Sequence, residues 1–257
     1  MSTWQLKIFT LACFVAMPLL GFSQKGVATV GLAVRPLVPV NYFDAREQTM
    51  ELDSFNTTFS SPRGYNYGMV IRAGLTDMIS LETGIYYTSR RYSMTIEDNQ
   101  NGFKDESDFN FIAYEIPVLG LVYVRLSENI YMNNALGVNM NMFPSNIFTQ
   151  GTHFDHWGFR YSWFRPGLMA NVGFEYRTRK SGYFYFGASY QTMLGNMIFS
   201  RVDYYRHAES TQQGQNMRRT QSGEIAHNGS FITLDFRYFF HEDPLAKQRR
   251  ERRRNVH

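Results

Sequence analysis

The sequence predicts an all-β protein, an eight-stranded antiparallel up-and-down transmembrane β-barrel, on three observations. Apolar residues recur at a strict spacing of two in eight separate segments, the mark of strands with one apolar and one polar face. The connections between these segments alternate short and long, which puts all the turns at one end of the structure and all the loops at the other. Aromatic residues gather toward the ends of the apolar faces, where a barrel wall meets the two membrane interfaces.

Composition sets the frame. The chain has 257 residues, of which 44% are hydrophobic and 19% charged, and its mean hydropathy of -0.35 does not resemble a polytopic helical membrane protein. Aromatic content is nonetheless 16%, mostly Tyr and Phe. A barrel of roughly 200 residues counts as one domain. Residues 1–23 read as a secretory signal peptide: Lys7 precedes an apolar run from Ile8 to Phe22, with small Gly21 and Ser23 at its end. The run is shorter than the roughly 20 residues of a membrane-spanning helix. Cys13 is the only cysteine, and the apolar run continues past it, so it reads as a signal residue and not as a lipid attachment site. A chain cut after Ser23 then carries no disulfide and no thiolate chemistry.

The strands follow in order. Ala28, Val30, Leu32 and Val34 alternate with Thr29, Gly31, Ala33 and Arg35. Tyr65 to Ala73 and Ile79 to Tyr87 make the second and third, with Arg72 and Glu82 on their polar faces. In the fourth, FIAYEIPVLGLVYVRL, Ile112, Tyr114, Ile116, Val118, Val122 and Val124 oppose Ala113, Glu115, Pro117, Tyr123 and Arg125. Met132, Leu136, Val138, Met140 and Met142 define the fifth; Leu168 to Tyr176 the sixth, with Glu175 and Arg177 on its polar face; Phe184 to Tyr190 the seventh. The eighth is NGSFITLDFRYFF, where Ile232, Leu234, Phe236, Tyr238 and Phe240 alternate with Thr233, Asp235 and Arg237.

Thr76-Asp77, Ser127-Glu128-Asn129 and Arg179 to Gly182 are the tight turns; Leu37–Arg63, Ser93–Ser107, Phe143–Arg165 and Met193–Asn228 are expected to be long loops. A barrel of eight strands encloses a space that side chains just fill. The polar faces carry Arg35, Arg72, Glu82, Glu115, Arg125, Glu175, Asp235 and Arg237, both signs in similar number, which suits a narrow interior where charges neutralise one another. The expectation is a plugged lumen lined by a polar network, with girdles built from Tyr65, Tyr67, Tyr87, Phe109, Phe174, Tyr176, Phe184, Tyr238 and Phe240. The alternative, a soluble sandwich with these rings in its core, leaves the loop asymmetry unexplained.

The signal ending in GFSQ, the stretch YEIPVLGLVYV at Tyr114–Val124 and the closing GSFITLDFRYFF resemble the small outer-membrane β-barrel proteins of Bacteroidetes, the PorT-like barrels, related in shape to the OmpA and OmpX barrels. The resemblance covers Gly26 to Phe240 and implies an integral outer-membrane location. It also implies that the terminal strand is recognised by the barrel-assembly machinery during biogenesis. One departure is that a tail follows the final aromatic, Phe240.

Candidate chemistry is sparse. His153, Asp155 and His156 are potential metal ligands, but two imidazoles and one carboxylate in a loop lack a supporting geometry, and no metal is expected. Phe154, Trp157, Phe159, Tyr161, Trp163 and Phe164, six rings in one loop, are expected either to pack on the rim or to anchor a partner. His207, Ser210 and His227 are the residue types of a lipid-modifying enzyme without catalytic spacing.

The tail from His241, HEDPLAKQRRERRRNVH, is strongly basic and accounts for much of the +4 net charge. In a secreted barrel it would lie in the periplasm, beyond reach of nucleic acid. The reading is therefore a signal peptide (1–23), a barrel (24–240) and a basic periplasmic tail (241–257), with both termini periplasmic. No cofactor is expected. The role read from these features is structural or interaction-based, an accessory or scaffold subunit of an envelope or secretion assembly without an open pore. Its partners would be outer-membrane lipid and an envelope protein met through the loops or tail. The alternative is an outer-leaflet acyltransferase or deacylase.

Overall fold

Strands account for nearly every described segment of the computed structural model, which describes residues 28–38, 47–60, 63–76, 78–100, 102–178, 181–207 and 217–240. The expected signal peptide and basic tail lie outside these residues, as do Asp77, Arg179, Lys180 and Ser210. In chain order the strands are β1 (Ala28–Val38), β2 (Gln48–Leu52), β3 (Phe55–Phe59), β4 (Arg63–Gly74), β5 (Ile79–Asp98), β6 (Phe103–Arg125), β7 (Ile130–Met142), β8 (Ile147–Gln150), β9 (Phe154–Arg160), β10 (Phe164–Arg177), β11 (Tyr183–Met193), β12 (Ile198–His207), β13 (Met217–His227) and β14 (Phe231–Phe239).

Eight of them close a ring, β1-β4-β5-β6-β7-β10-β11-β14 and back to β1, every pair antiparallel. At the seam Leu32 lies opposite Tyr238 and Ala33 opposite Arg237, so the parity of β14 is locked to that of the first strand. A slip of one residue would turn Arg237 and Asp235 outward. The outward set is apolar and exposed on every strand of the ring. Val34 is 56% exposed, Leu136 68%, Val172 51% and Phe186 53%, a continuous belt that water would penalise and lipid accepts. Along β4 and the residue after it the belt runs from Tyr65 to Leu75, which at about 3.3 Å per residue and a usual tilt of about 40° rises roughly 25 Å, the height of the apolar band of such barrels. The protein is therefore a transmembrane eight-stranded barrel.

Glycines let large rings lie flat against the inner wall. The Tyr185 hydroxyl would sit 2.2 Å from a Cβ placed at Gly187 and 2.5 Å from one at Gly173, so the phenol crosses a floor that only glycine leaves open.

The described parts of the four long connections are largely strands, not irregular loops. Residues 93–107 continue β5 and β6 far past the barrel as one hairpin, Met94 opposite Ser107 and Asp98 opposite Phe103. The first long connection holds the β2-β3 hairpin, which pairs with the extended part of β5. The third and fourth supply a second sheet, β13-β12-β9-β8. The physical reason is that their alternation continues: Tyr92, Met94 and Ile96 are buried on one face of β5, and Phe154 and His156 on one face of β9. These inner faces meet in a core of Met50, Phe55, Phe59, Phe109, Phe143, Val202, Tyr204 and their neighbours. Each ring or methionine taken from water there contributes about 1.5–3 kcal/mol. The loop end of the barrel thus carries a folded β cap. Phe109, expected in a membrane girdle, is 4% exposed and belongs to this cap core, because β6 has already left the wall at that height.

Candidate functional site

Inside the ring, parity alone brings charged side chains from five strands together. Arg35 donates from Nε to Asp235 Oδ1 at 3.1 Å, and Arg237 donates from Nη2 to Asp235 Oδ2 at 2.6 Å. Arg237 also donates to Glu82, which accepts from Arg72 Nε and Nη2 at 3.1 and 2.9 Å. Arg72 reaches Glu175 as well, and Glu175 accepts from Arg177 Nε at 2.7 Å. The result is one chain of alternating sign, Arg35, Asp235, Arg237, Glu82, Arg72, Glu175, Arg177. Because β4 and β10 stand on opposite sides of the ring, the Arg72–Glu175 pair crosses the whole bore.

Neutral donors and rings complete the plug. Asn171 Nδ2 and the Ser189 hydroxyl donate to Asp235, and the Tyr185 hydroxyl donates to Asn171 Oδ1 at 2.6 Å. Arg72 stacks 4.0 Å from the centroid of Phe239, and Arg237 4.7 Å from that of Tyr185. Buried charges are tolerated when paired and hydrogen-bonded, and here each carboxylate has at least two donors, while Arg35 Nη1 and Arg237 Nε have no partner among the described residues. Higher up, Glu115 accepts from Thr88 Oγ1 at 2.7 Å, Asn66 Nδ2 at 3.1 Å and Arg90 Nη2 at 3.4 Å. Arg90 also donates to the Gly229 carbonyl at 3.0 Å and lies 4.2 Å from the Phe231 ring centroid, which ties the neck of the barrel to the start of β14.

Of the residues expected in the lumen, Arg35, Arg72, Glu82, Glu115, Glu175, Asp235 and Arg237 are buried inside the ring. Arg125 is not among them: it is exposed at the turn end, donating from Nε to the Ser127 carbonyl at 3.1 Å. It has inward parity, but the wall ends at its level. Arg90 joins the network unanticipated, and Arg177, which parity puts on the inward face of its strand, joins it through Glu175. Arg90 lies just past the Tyr87 taken as the end of its strand, so extending that alternation would have found it.

The aromatic segment of the third connection divides. Phe154 is 1% exposed and packs in the cap core, whereas Trp157, Phe159, Tyr161, Trp163 and Phe164 face outward, 38 to 56% exposed. Trp157 packs at a tilt against Phe148 on the neighbouring strand with centroids 4.3 Å apart, Arg160 lies 3.8 Å from the Trp163 centroid, and Phe164 belongs to the lipid-facing belt. Asp155 and His156 point to opposite faces of β9: the carboxylate accepts from the Tyr205 hydroxyl at 2.9 Å, while the imidazole is buried. They do not converge on a metal.

His156 and His227 instead share the Ser200 hydroxyl, at 3.0 and 3.1 Å from their Nε2 atoms. That hydroxyl has one proton, so it donates to at most one of the rings, and at least one ring donates to it. Burial among Phe59, Phe109 and Tyr92 pushes both imidazoles down to about 4, and at His156 the neighbouring His227 adds to the effect. Both rings are neutral joints of the cap.

No family model and no curated protein matches the chain. Among solved structures it is similar to the outer membrane protein OprG from Pseudomonas aeruginosa, at 12% identity over 84% of this chain and 95% of that one, with a TM-score of 0.45. It is also similar to the outer membrane protease OmpT from Escherichia coli, at 10% identity over 84% and 94%, with a TM-score of 0.30. The β domain of the Bordetella autotransporter BrkA aligns at 8% identity over 84% and 99%, with a TM-score of 0.21. Likeness this loose carries no argument about function. The barrel assignment rests on the closed ladder and the apolar belt.

Proposed function

We propose that this is a closed outer-membrane barrel that holds a folded β cap at the cell surface, serving as an accessory or scaffold in an envelope assembly and not as a pore or enzyme. The observation that carries this reading is the plug: an ion pair crosses the bore, and the cap core covers its mouth. The short turns and both chain termini then face the periplasm, with the cap outside. The resemblance of Tyr114–Val124 and the closing strand to PorT-like barrels supports the barrel's outer-membrane place, and the outward rings of β9 offer a partner surface. Against catalysis, Ser200 and its two imidazoles are sealed from solvent, and among the described residues no carboxylate hydrogen-bonds either imidazole.

Planar-bilayer recording of the purified full chain tests the closed lumen. No discrete conductance is expected, and reproducible single-channel steps would overturn it. Crosslinking and affinity purification from envelopes, with an inert barrel as control, tests the scaffold role: a specific envelope protein should be recovered, and its loss on replacing Trp157 and Phe159 by Ser would locate the contact. Recovery of nothing beyond the control set would count against it.

A further inference from the structure

At the loop end of the belt, four tyrosines of three adjacent strands form one cluster: the Tyr67 and Tyr87 centroids are 5.2 Å apart, those of Tyr87 and Tyr114 5.8 Å, and those of Tyr65 and Tyr67 6.0 Å. Tyrosine at this height is the residue that bridges acyl chain and headgroup. One outward position further from the membrane, Arg63 on β4 lies directly opposite Arg91 on β5. Like charges at directly opposed positions repel, so this pairing is unfavourable unless something negative sits between them. Among the described residues neither guanidinium has an acidic partner within ion-pair distance.

The two arginines open onto an external cleft of about 500 Å³ whose floor includes Tyr65, Ser89 and Asn110. Its other polar groups are already engaged: Ser89 donates to Asn110 Oδ1 at 2.9 Å, Ser93 donates to Asp108, and the Ser93 amide donates to Ser60 Oγ at 3.2 Å. What the cleft offers a ligand is therefore two forked cations against one carboxylate, Asp108, which Ser93 already holds, above an aromatic step that is continuous with the lipid-facing wall.

We propose that this cleft binds the phosphate of an anionic membrane lipid in the leaflet at the cap end, with Arg63 and Arg91 clamping the headgroup and Tyr65, Tyr67 and Tyr87 carrying the start of its acyl region. Guanidinium groups recognise phosphate through paired N–H donors, which suits a two-arginine clamp. In the orientation proposed above the leaflet is the outer one. The site itself depends only on the belt being membrane-embedded, and the conductance and crosslinking experiments do not touch it.

The test is native mass spectrometry of the detergent-purified full chain titrated with lipid A, phosphatidylglycerol, phosphatidylcholine or inorganic phosphate. Anionic lipid should be retained over phosphatidylcholine. The double variant Arg63→Gln/Arg91→Gln should lose that preference by about tenfold or more, each charged hydrogen bond being worth roughly a factor of ten. Lys104→Gln, a charge change elsewhere on the cap, should leave it intact. Heat-modifiable migration confirms that the variants fold, and the single variants, each expected to lose part of the preference, serve if the double one does not. Unchanged lipid retention in folded variants would overturn the site. Displacement of lipid by equimolar inorganic phosphate would overturn the assignment to lipid, leaving a free-anion site.

Discussion

Glu82 is the residue on which the lumen chain turns, because two arginines from different strands, Arg72 and Arg237, both spend their guanidinium donors on it. Replacing it by Ala leaves two buried cations undercompensated. Breaking a buried pair from one side costs about 3–5 kcal/mol. Glu82→Ala should therefore lower the urea midpoint of the folded barrel in micelles by an amount equivalent to several kcal/mol. Arg125→Ala, at an exposed turn-end position, should change it by less than about 0.5 kcal/mol. Equal midpoints for the two variants would mean that the network does not hold the wall. This contrast also locates where sequence reasoning worked at single positions. Strand parity sufficed for residues in mid-wall such as Arg35 and Asp235, since a residue there has only two directions. It failed at Arg125 because parity does not say where the wall stops, and although it puts Arg177 on the inward face it does not show that the Nε reaches back two residues along its own strand to Glu175.

The ring strands and tight turns were legible as elements because each ring strand has a lipid face of one chemistry. The cap strands were not, because their outer faces meet water. On β5, Ser93, Thr95 and Glu97 between Tyr92, Met94 and Ile96 look like loop composition until the alternation is followed across them. Once the cap is a packed element, its pH behaviour follows from His156 and His227. Both ionise near 6.5 in an unfolded chain but only at about 4 in the cap, so between those values the unfolded state binds more protons and stability rises with pH. The cap keeps its full stability above pH 6.5 and loses on the order of 3 kcal/mol for each imidazole as pH falls to about 4. Hydrogen exchange, corrected for intrinsic rates, should show β9 and β12 amides opening more at about pH 4.5 than at about pH 7, while barrel amides in β7 and β10 do not. Unchanged cap protection would show that the two rings are not buried neutral joints.

At the scale of the whole molecule, the inside-out arrangement makes the outer surface the place where a charge is least tolerated. Leu234 faces outward on β14, 40% exposed and level with Ala188 in the middle of β11, while its sequence neighbour Asp235 is fully buried in the lumen. A soluble β protein would show the reverse sensitivity, accepting a cation at the exposed position. In a bilayer, Arg at mid-height costs about 2–4 kcal/mol, falling to about 0–1 near the interfaces. Leu234→Arg should therefore reduce refolding into lipid vesicles by an amount equivalent to that cost, while Leu75→Arg, at the turn-end edge of the belt, should refold nearly as the parent does. The graded response matters more than either value, because a packing defect would not follow depth. If both variants refold equally well, the exposed apolar face is not in hydrocarbon, and the plugged bore and the external arginine clamp would have to be reinterpreted along with it.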